Sequence, residues 1–252
     1  MTQINRDDRM TAYRALCLGA LLKRSVIEAA VQRLQRHTTI TNKPQLIARQ
    51  HVAYKTLLRW LATEHLDQHL SRAERLLIEK PLASWSERTL MFAIRRAESL
   101  GVMLWALRFI ETIPAYDTLF DMATVLQPLD ILTPTIDFIW QAGLRPVDEL
   151  SAMRDTAELW NWRSRASELQ RLGVQPPVGT TFSDIIRETT HTAYTRHQLP
   201  TPIEGDFPVF GKAYSQMTHA EYLLVSHIAA ERYLALNWIC ELSSEWESIS
   251  VE

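Results

Sequence analysis

The sequence predicts an all-α fold: a single domain over residues 1–252, built as a bundle of about eight to ten helices. Three observations carry that expectation. Glycine is scarce, 7 of 252 residues, so the tight turns of a many-stranded β fold are lacking. Apolar residues recur at spacings of three and four along most of the chain, the period of a buried helix face. Helix-start signals recur too, two of them full capping boxes, Ser71-Arg-Ala-Glu74 and Thr218-His-Ala-Glu221.

Each element follows from local chemistry. Residues 7–36 read as one long helix or two, with Tyr13, Leu16, Cys17, Ala20 and Leu21 at helical spacing. Asn42 as a polar cap and Pro44 near the first helical position open the next, which carries Leu46, Val52, Leu57 and Leu61. The Ser71 box opens a short helix stopped near Pro81. Ser84 or Ser86 caps a long helix, continuous over residues 85–111 and ended before Pro114. Asp117 caps a short helix to Leu126, and Pro128 and Pro134 then break the chain into loop and short helical pieces. Pro146 starts a helix with Asp148 and Glu149 in its first turn, where carboxylates suit the helix dipole; Gly173 is its C′ residue. A helix is expected over 182–198. Residues 199–217 read as an ordered loop, because Phe207, Val209, Phe210 and Tyr214 need burial. The Thr218 box opens the last long helix, through about Leu242, ahead of an acidic tail at 243–252. No repeat or low-complexity segment interrupts the chain.

Formal net charge is −2, which gives no global pull toward nucleic acid, and no nucleic-acid partner is expected. The charge is unevenly spread: residues 1–108 hold 18 Lys and Arg against 9 Asp and Glu, whereas residues 109–252 hold 9 against 20. The expected meaning is two halves that pack together and complement each other. Cys17 and Cys240 lie in apolar runs and read as small core residues in a reducing compartment. The longest apolar run, Leu100–Leu107, is far below the ~20 residues of a membrane span, and MTQINRDDRM is too polar for a signal-peptide core. A cytoplasmic protein without membrane attachment is expected.

Recurring catalytic signatures are absent: no phosphate-binding glycine pattern, no G-x-S-x-G, C-x-x-C or H-E-x-x-H. His65 and His69 stand four apart, half of a possible metal site on a helix, but no third ligand can be nominated and Leu66 occupies a position where a zincin has its glutamate. No metal, no cofactor and no hydrolase activity are expected.

The informative feature is charge inside apolar stripes. Leu100, Met103, Leu104, Leu107 and Ile110 form one face, while Val102, Trp105, Ala106 and Phe109 cover much of the other. A helix apolar all round belongs in the middle of a bundle, yet this one opens with Arg96 and Glu98. In the last helix Glu231 shares a face with Ile228, Ala235 and Trp238, Arg232 one with Val225, Ala229 and Leu236, and Asn237 stands among them. Residues 144–163 place Arg154, Asp155 and Glu158 between Leu150, Met153, Ala157 and Trp162.

These segments resemble the uncharacterised, mainly bacterial domain-of-unknown-function family DUF4272. The likeness rests on Arg96, Glu98, Leu100 and Trp105-Ala-Leu107; on Leu144-Arg-Pro146 with Glu149, Asp155 and Trp162; on Glu231-Arg232 followed by Ala235-Leu-Asn-Trp238; and on the run Arg14–Leu18. The tail departs from the family's Trp-Asp ending, reading Glu245-Trp-Glu-Ser. The resemblance supports the fold and transfers no activity.

A buried carboxylate must be paired or hydrogen-bonded. Arg96, Glu98, Arg145, Glu149, Asp155, Glu231, Arg232 and Asn237 are therefore expected to form a buried or half-buried polar cluster that fixes helix register, with Glu231 paired to Arg96 or Arg145. The expected function is a protein-interaction or regulatory module, of immunity type or another, with a protein partner. The alternative is an enzyme or small-ligand binder that uses the cluster as an acid/base pocket through Glu98, Asp155 or Glu231. An open cluster favours the second reading and a sealed one the first.

Overall fold

The computed structural model describes residues 7–37, 41–240 and 246. Among them the architecture is all-α: α1 (Asp8–Arg36), α2 (Lys43–Thr63), α3 (Arg72–Glu79), α4 (Glu87–Arg95), α5 (Ala97–Ala106), α6 (Met122–Leu126), α7 (Ile136–Gln141), α8 (Val147–Arg171), α9 (Phe182–Thr195) and α10 (His219–Ile239). Most caps are the expected ones. Both capping boxes form, at Ser71/Glu74 and at Thr218/Glu221, and the Ser86 hydroxyl accepts from the Thr89 amide at 3.1 Å. At the end of α8, Gly173 takes the left-handed conformation (φ +71). There the Val174 amide reaches the Leu169 carbonyl at 3.1 Å and the Gly173 amide the Gln170 carbonyl at 3.2 Å, a Schellman closure.

α5 holds the centre. Every residue from Ala97 to Ala106 is buried, as an all-round apolar helix requires, and both α1 and α10 pack against it. Gly101 permits the close approach of the 114–121 loop: a Cβ there would lie 2.4 Å from the Phe120 ring. One apolar core runs from Ala12 on α1 through α5 and α8 to Leu234–Cys240 on α10, joining the basic and acidic halves. A second gathers Trp160, Phe207, Val209, Tyr214, Val225 and Ile228 where α8 and α10 meet the ordered loop.

Four local expectations need correction. The helix expected over 85–111 is two, α4 and α5, joined at Arg96 (φ −60, ψ −8), whose amide bonds the Ala93 carbonyl in a tightened turn. It also stops early: Arg108 turns left-handed (φ +66) and the Phe109 amide closes onto the Leu104 carbonyl at 2.9 Å, so Phe109 and Ile110 leave the helix. α6 is capped by Asp121 and not by Asp117, whose carboxylate instead receives the Phe210 amide at 3.0 Å. Asn42 is left-handed (φ 62) and makes no side-chain cap bond. Within 199–217, β1 (Pro208–Val209) and β2 (Lys212–Ala213) pair antiparallel. Phe210 and Gly211 both have positive φ and form their two-residue turn, so Phe210 points outward while Phe207, Val209 and Tyr214 are buried. The acidic tail lies outside the described residues apart from Trp246, whose ring meets Trp238 edge-on at 5.9 Å. No described helix is long and apolar enough to cross a membrane.

The halves are expected to depend on each other for folding, since α5 buries its apolar surface against α10. A chain ending at residue 112 should show no cooperative thermal transition by circular dichroism. A sharp melt from that fragment would mean an independent N-terminal domain.

Candidate functional site

The expected charges meet where α5 packs on α10. Of the two arginines expected for Glu231, Arg96 makes the pair, its Nη1 donating to Oε2 at 3.1 Å. Ser99 Oγ donates to the same oxygen at 2.5 Å. From the adjacent position on α10, Arg232 Nε donates to Glu98 Oε2 at 2.8 Å, and Glu98 Oε1 receives the Phe120 amide at 2.7 Å. Arg232 directs its remaining N–H groups to the carbonyls of Pro114 at 2.6 Å and Thr118 at 2.9 Å. Its guanidinium stacks over Tyr116 at 4.9 Å and Phe120 at 5.3 Å. The pair therefore straps residues 114–120 across both helices. All four charged residues are buried, Glu98 to 1% and Arg232 to 0% exposure. Burial pushes both carboxyls up, Glu98 against the pull of Arg232 and Glu231 against that of Arg96 and Ser99.

The other four expected residues lie elsewhere, so the eight do not form one cluster. Arg145 ends α5: its amide bonds the Ala106 carbonyl and its Nε the Trp105 carbonyl, both at 2.8 Å, which satisfies orphan carbonyls at a helix C-terminus. Glu149 pairs with Arg145 at 3.2 Å from a half-exposed position. Asp155 pairs with the adjacent Arg154, partly open to solvent. Asn237 lies on α10 apart from these pairs, its Oδ1 buried without a hydrogen-bond partner among the described residues. For Glu149 and Asp155 the reason is periodicity: both lie on a flank of α8 open to solvent, a distinction that apolar spacing alone does not draw. His65 and His69 also separate, because α2 ends at Thr63 and His69 stacks on Tyr13 with ring centres 4.1 Å apart. Among the described residues no group of three or more His, Cys, Asp or Glu is placed to hold a metal ion.

Beside the Glu98–Arg232 pair lies a cavity of about 410 Å³ between α4, α5, α10 and the strapped loop. Its apolar wall comes from Ile94, Phe120, Met122 and Leu224, with Met91, Leu119 and Leu223 at 45%, 50% and 49% exposure. Three polar side chains line it: Glu98, Arg95 and His227. Both Glu98 oxygens are taken by Arg232 and Phe120. His227 Nε2 is buried and has no hydrogen-bond partner among the described residues. Burial first, then the Arg95 and Arg96 charges, push the imidazole down to about 3, so it is neutral at any ordinary pH. Neither cysteine belongs to the cavity; burial pushes Cys17 up to about 12 and Cys240 up to about 11, which leaves both as unreactive thiols.

The family model described as "Domain of unknown function (DUF4272)" matches residues 12–198, well over half of the chain. This chain belongs to the DUF4272 family. Comparison with curated proteins and with solved structures finds no match. Within this DUF4272 protein the matched span holds Arg14–Leu18, the Arg96–Leu107 segment and Leu144–Trp162, and it stops before Glu231–Trp238 on α10. The cavity thus joins matched residues of α4, α5 and the loop to a helix outside the match.

Three further buried ion pairs escape the sequence pattern. On α1, Arg24 pairs with Glu28 at 2.7 Å, and Glu28 also receives the Ala83 and Trp85 amides at 3.0 and 2.9 Å. Arg14 pairs with Glu74. Arg163 grips Asp206 bidentately, both contacts at 2.7 Å, while Asp206 accepts the Phe207 and Ser215 amides. The available signal was Arg24 and Glu28 at i, i+4 among Leu21, Leu22 and Val31, and Arg163 beside Trp160 and Trp162.

Breaking one member of the α5–α10 pairs should be costly, because its partner stays buried. Glu231→Ala is expected to lower stability by ~3–5 kcal/mol, whereas Arg96→Met with Glu231→Leu should recover most of that loss. Chemical denaturation of both variants checks this; a single variant as stable as the parent would contradict the pairing.

Proposed function

We propose that this DUF4272 protein acts by binding a ligand in the cavity between α4, α5 and α10, and not by acid/base chemistry at its buried carboxylates. One observation carries the reading: Glu98, the carboxylate that lines the cavity, is committed to Arg232 and the Phe120 amide, while the apolar space beside it is open at a rim of exposed Met91, Leu119 and Leu223. A general base needs a free lone pair within reach of substrate, and both oxygens of Glu98 are engaged. A concave, largely apolar space of this size with few convergent polar groups is the usual form of a small-ligand site. A cytoplasmic setting accords with two buried free thiols.

The experiment is saturable binding of the neutral dye Nile red, followed by fluorescence. Ala220 is exposed where α10 borders the cavity. Ala220→Trp should block the mouth, leave the melt unchanged and remove the saturable signal. Equal binding by parent and variant would overturn the reading.

A protein partner, the class expected from the sequence, is supported by a separate observation. Trp140 on α7 is 80% exposed and Ile136, one turn earlier, is 54% exposed on the same face. Exposed tryptophan is a common anchor of protein interfaces. Trp140→Asp is expected to leave the thermal midpoint unchanged and to abolish association with any partner that co-purifies with the parent chain; retained association would place the interface elsewhere.

A further inference from the structure

The cavity's polar groups have unequal commitments, and the difference specifies a ligand. Glu98 is closed to a newcomer, its two oxygens engaged at 2.7 and 2.8 Å. Arg95, the last residue of α4, lines the space and is exposed, and its guanidinium makes no ion pair or hydrogen bond among the described residues. His227 also lines the space, and its Nε2 is buried without a hydrogen-bond partner among the described residues. An unmet buried polar atom is costly, so a ligand head that reaches it gains affinity over one that does not. The remainder of the wall is apolar.

We infer that the cavity takes an anionic amphiphile, an apolar chain within the wall of Phe120, Met122 and Leu224 and a small anionic head at Arg95 and His227. This rests on the binding reading above and adds the chemical class. An anion pairs with Arg95 by charge-assisted hydrogen bonds, and a neutral imidazole in the Nε2–H tautomer donates to it at no desolvation cost for a second charge. Burial first, and then the Arg95 and Arg96 charges, hold the imidazole neutral, so the positive charge in this corner is that of the arginines. A cationic head finds no free acceptor, since Glu98 is spent. A neutral head forgoes the Arg95 charge. At about 410 Å³ the space suits one short acyl chain, not a folded domain.

The test is displacement of Nile red by decanoate, decanol and decyltrimethylammonium, each below its aggregation threshold. Decanoate should displace the dye at least tenfold more effectively than decanol, and the cation least of all. Arg95→Ala should collapse that tenfold preference, and Ala220→Trp should abolish decanoate binding. Decanol matching decanoate would overturn the anionic-head inference and leave the binding reading standing. Dye binding indifferent to Ala220→Trp would overturn both. Sedimentation with phosphatidylglycerol vesicles separates a free acid from an acyl chain held in a bilayer; vesicle binding without decanoate binding would overturn the inference in favour of a lipid surface.

Discussion

The buried pair between Glu98 and Arg232 is the interaction on which the centre of this structure depends. Taking two charges out of water costs on the order of several kcal/mol each, and their attraction offsets this only when every remaining donor and acceptor is met. Here they are met by backbone: Glu98 holds the Phe120 amide, and Arg232 holds the Pro114 and Thr118 carbonyls. A loop without regular hydrogen bonding is thereby fixed against α5 and α10. The Phe120 ring then rests in the space that Gly101 leaves open. The wall of the cavity follows from that placement, because Leu119, Phe120 and Met122 are carried by the strapped segment.

The same device recurs through the molecule. Arg24 and Glu28 bind the 80–85 turn, Glu28 through two amides and Arg24 through the Lys80 and Pro81 carbonyls. Arg14 reaches the His69 carbonyl while its partner Glu74 receives the Ser71 amide. Arg163 and Asp206 organise the ordered loop from Asp206 to Ser215. In each case a helix supplies at least one charge, and the pair completes its hydrogen bonding on a connection that has few partners of its own. Buried backbone groups must find partners somewhere, and a helical fold with long connections offers them no sheet. Buried charge in this protein is therefore a means of ordering loops.

That role bears on function. With both oxygens engaged, Glu98 is poorly placed to carry a proton, and its visible role at the α5–α10 interface is architectural. Beside it lies an apolar space lined by one cation and one imidazole nitrogen that have no partner among the described residues. Of the pairs joining α5 to α10, Arg96–Glu231 follows the basic-to-acidic polarity of the two halves and Glu98–Arg232 reverses it. One apolar core also runs through both halves.

Helix identity, most starts and stops, and the central place of α5 were determined by the sequence itself. They depend on interactions within a few residues: Ser71 with Glu74, Thr218 with Glu221, Gly173 in its left-handed cap, and an unbroken apolar surface from Leu100 to Ala106. The need for partners at Arg96, Glu98, Glu231 and Arg232 was equally legible, because a charge inside an apolar stripe has no other stable outcome. Which partner each takes was decided by tertiary structure alone. Glu98 and Arg232 stand 134 positions apart, and no local rule distinguishes that pairing from its neighbours. The same holds for Arg145, which reads as a cluster member by its surroundings in sequence and serves as a helix cap in space. The cavity is the furthest from the sequence's reach. Arg95, His227 and Leu119 become neighbours only after α4, α10 and the loop have packed, and empty space between elements leaves no mark on the periodicity of any one of them.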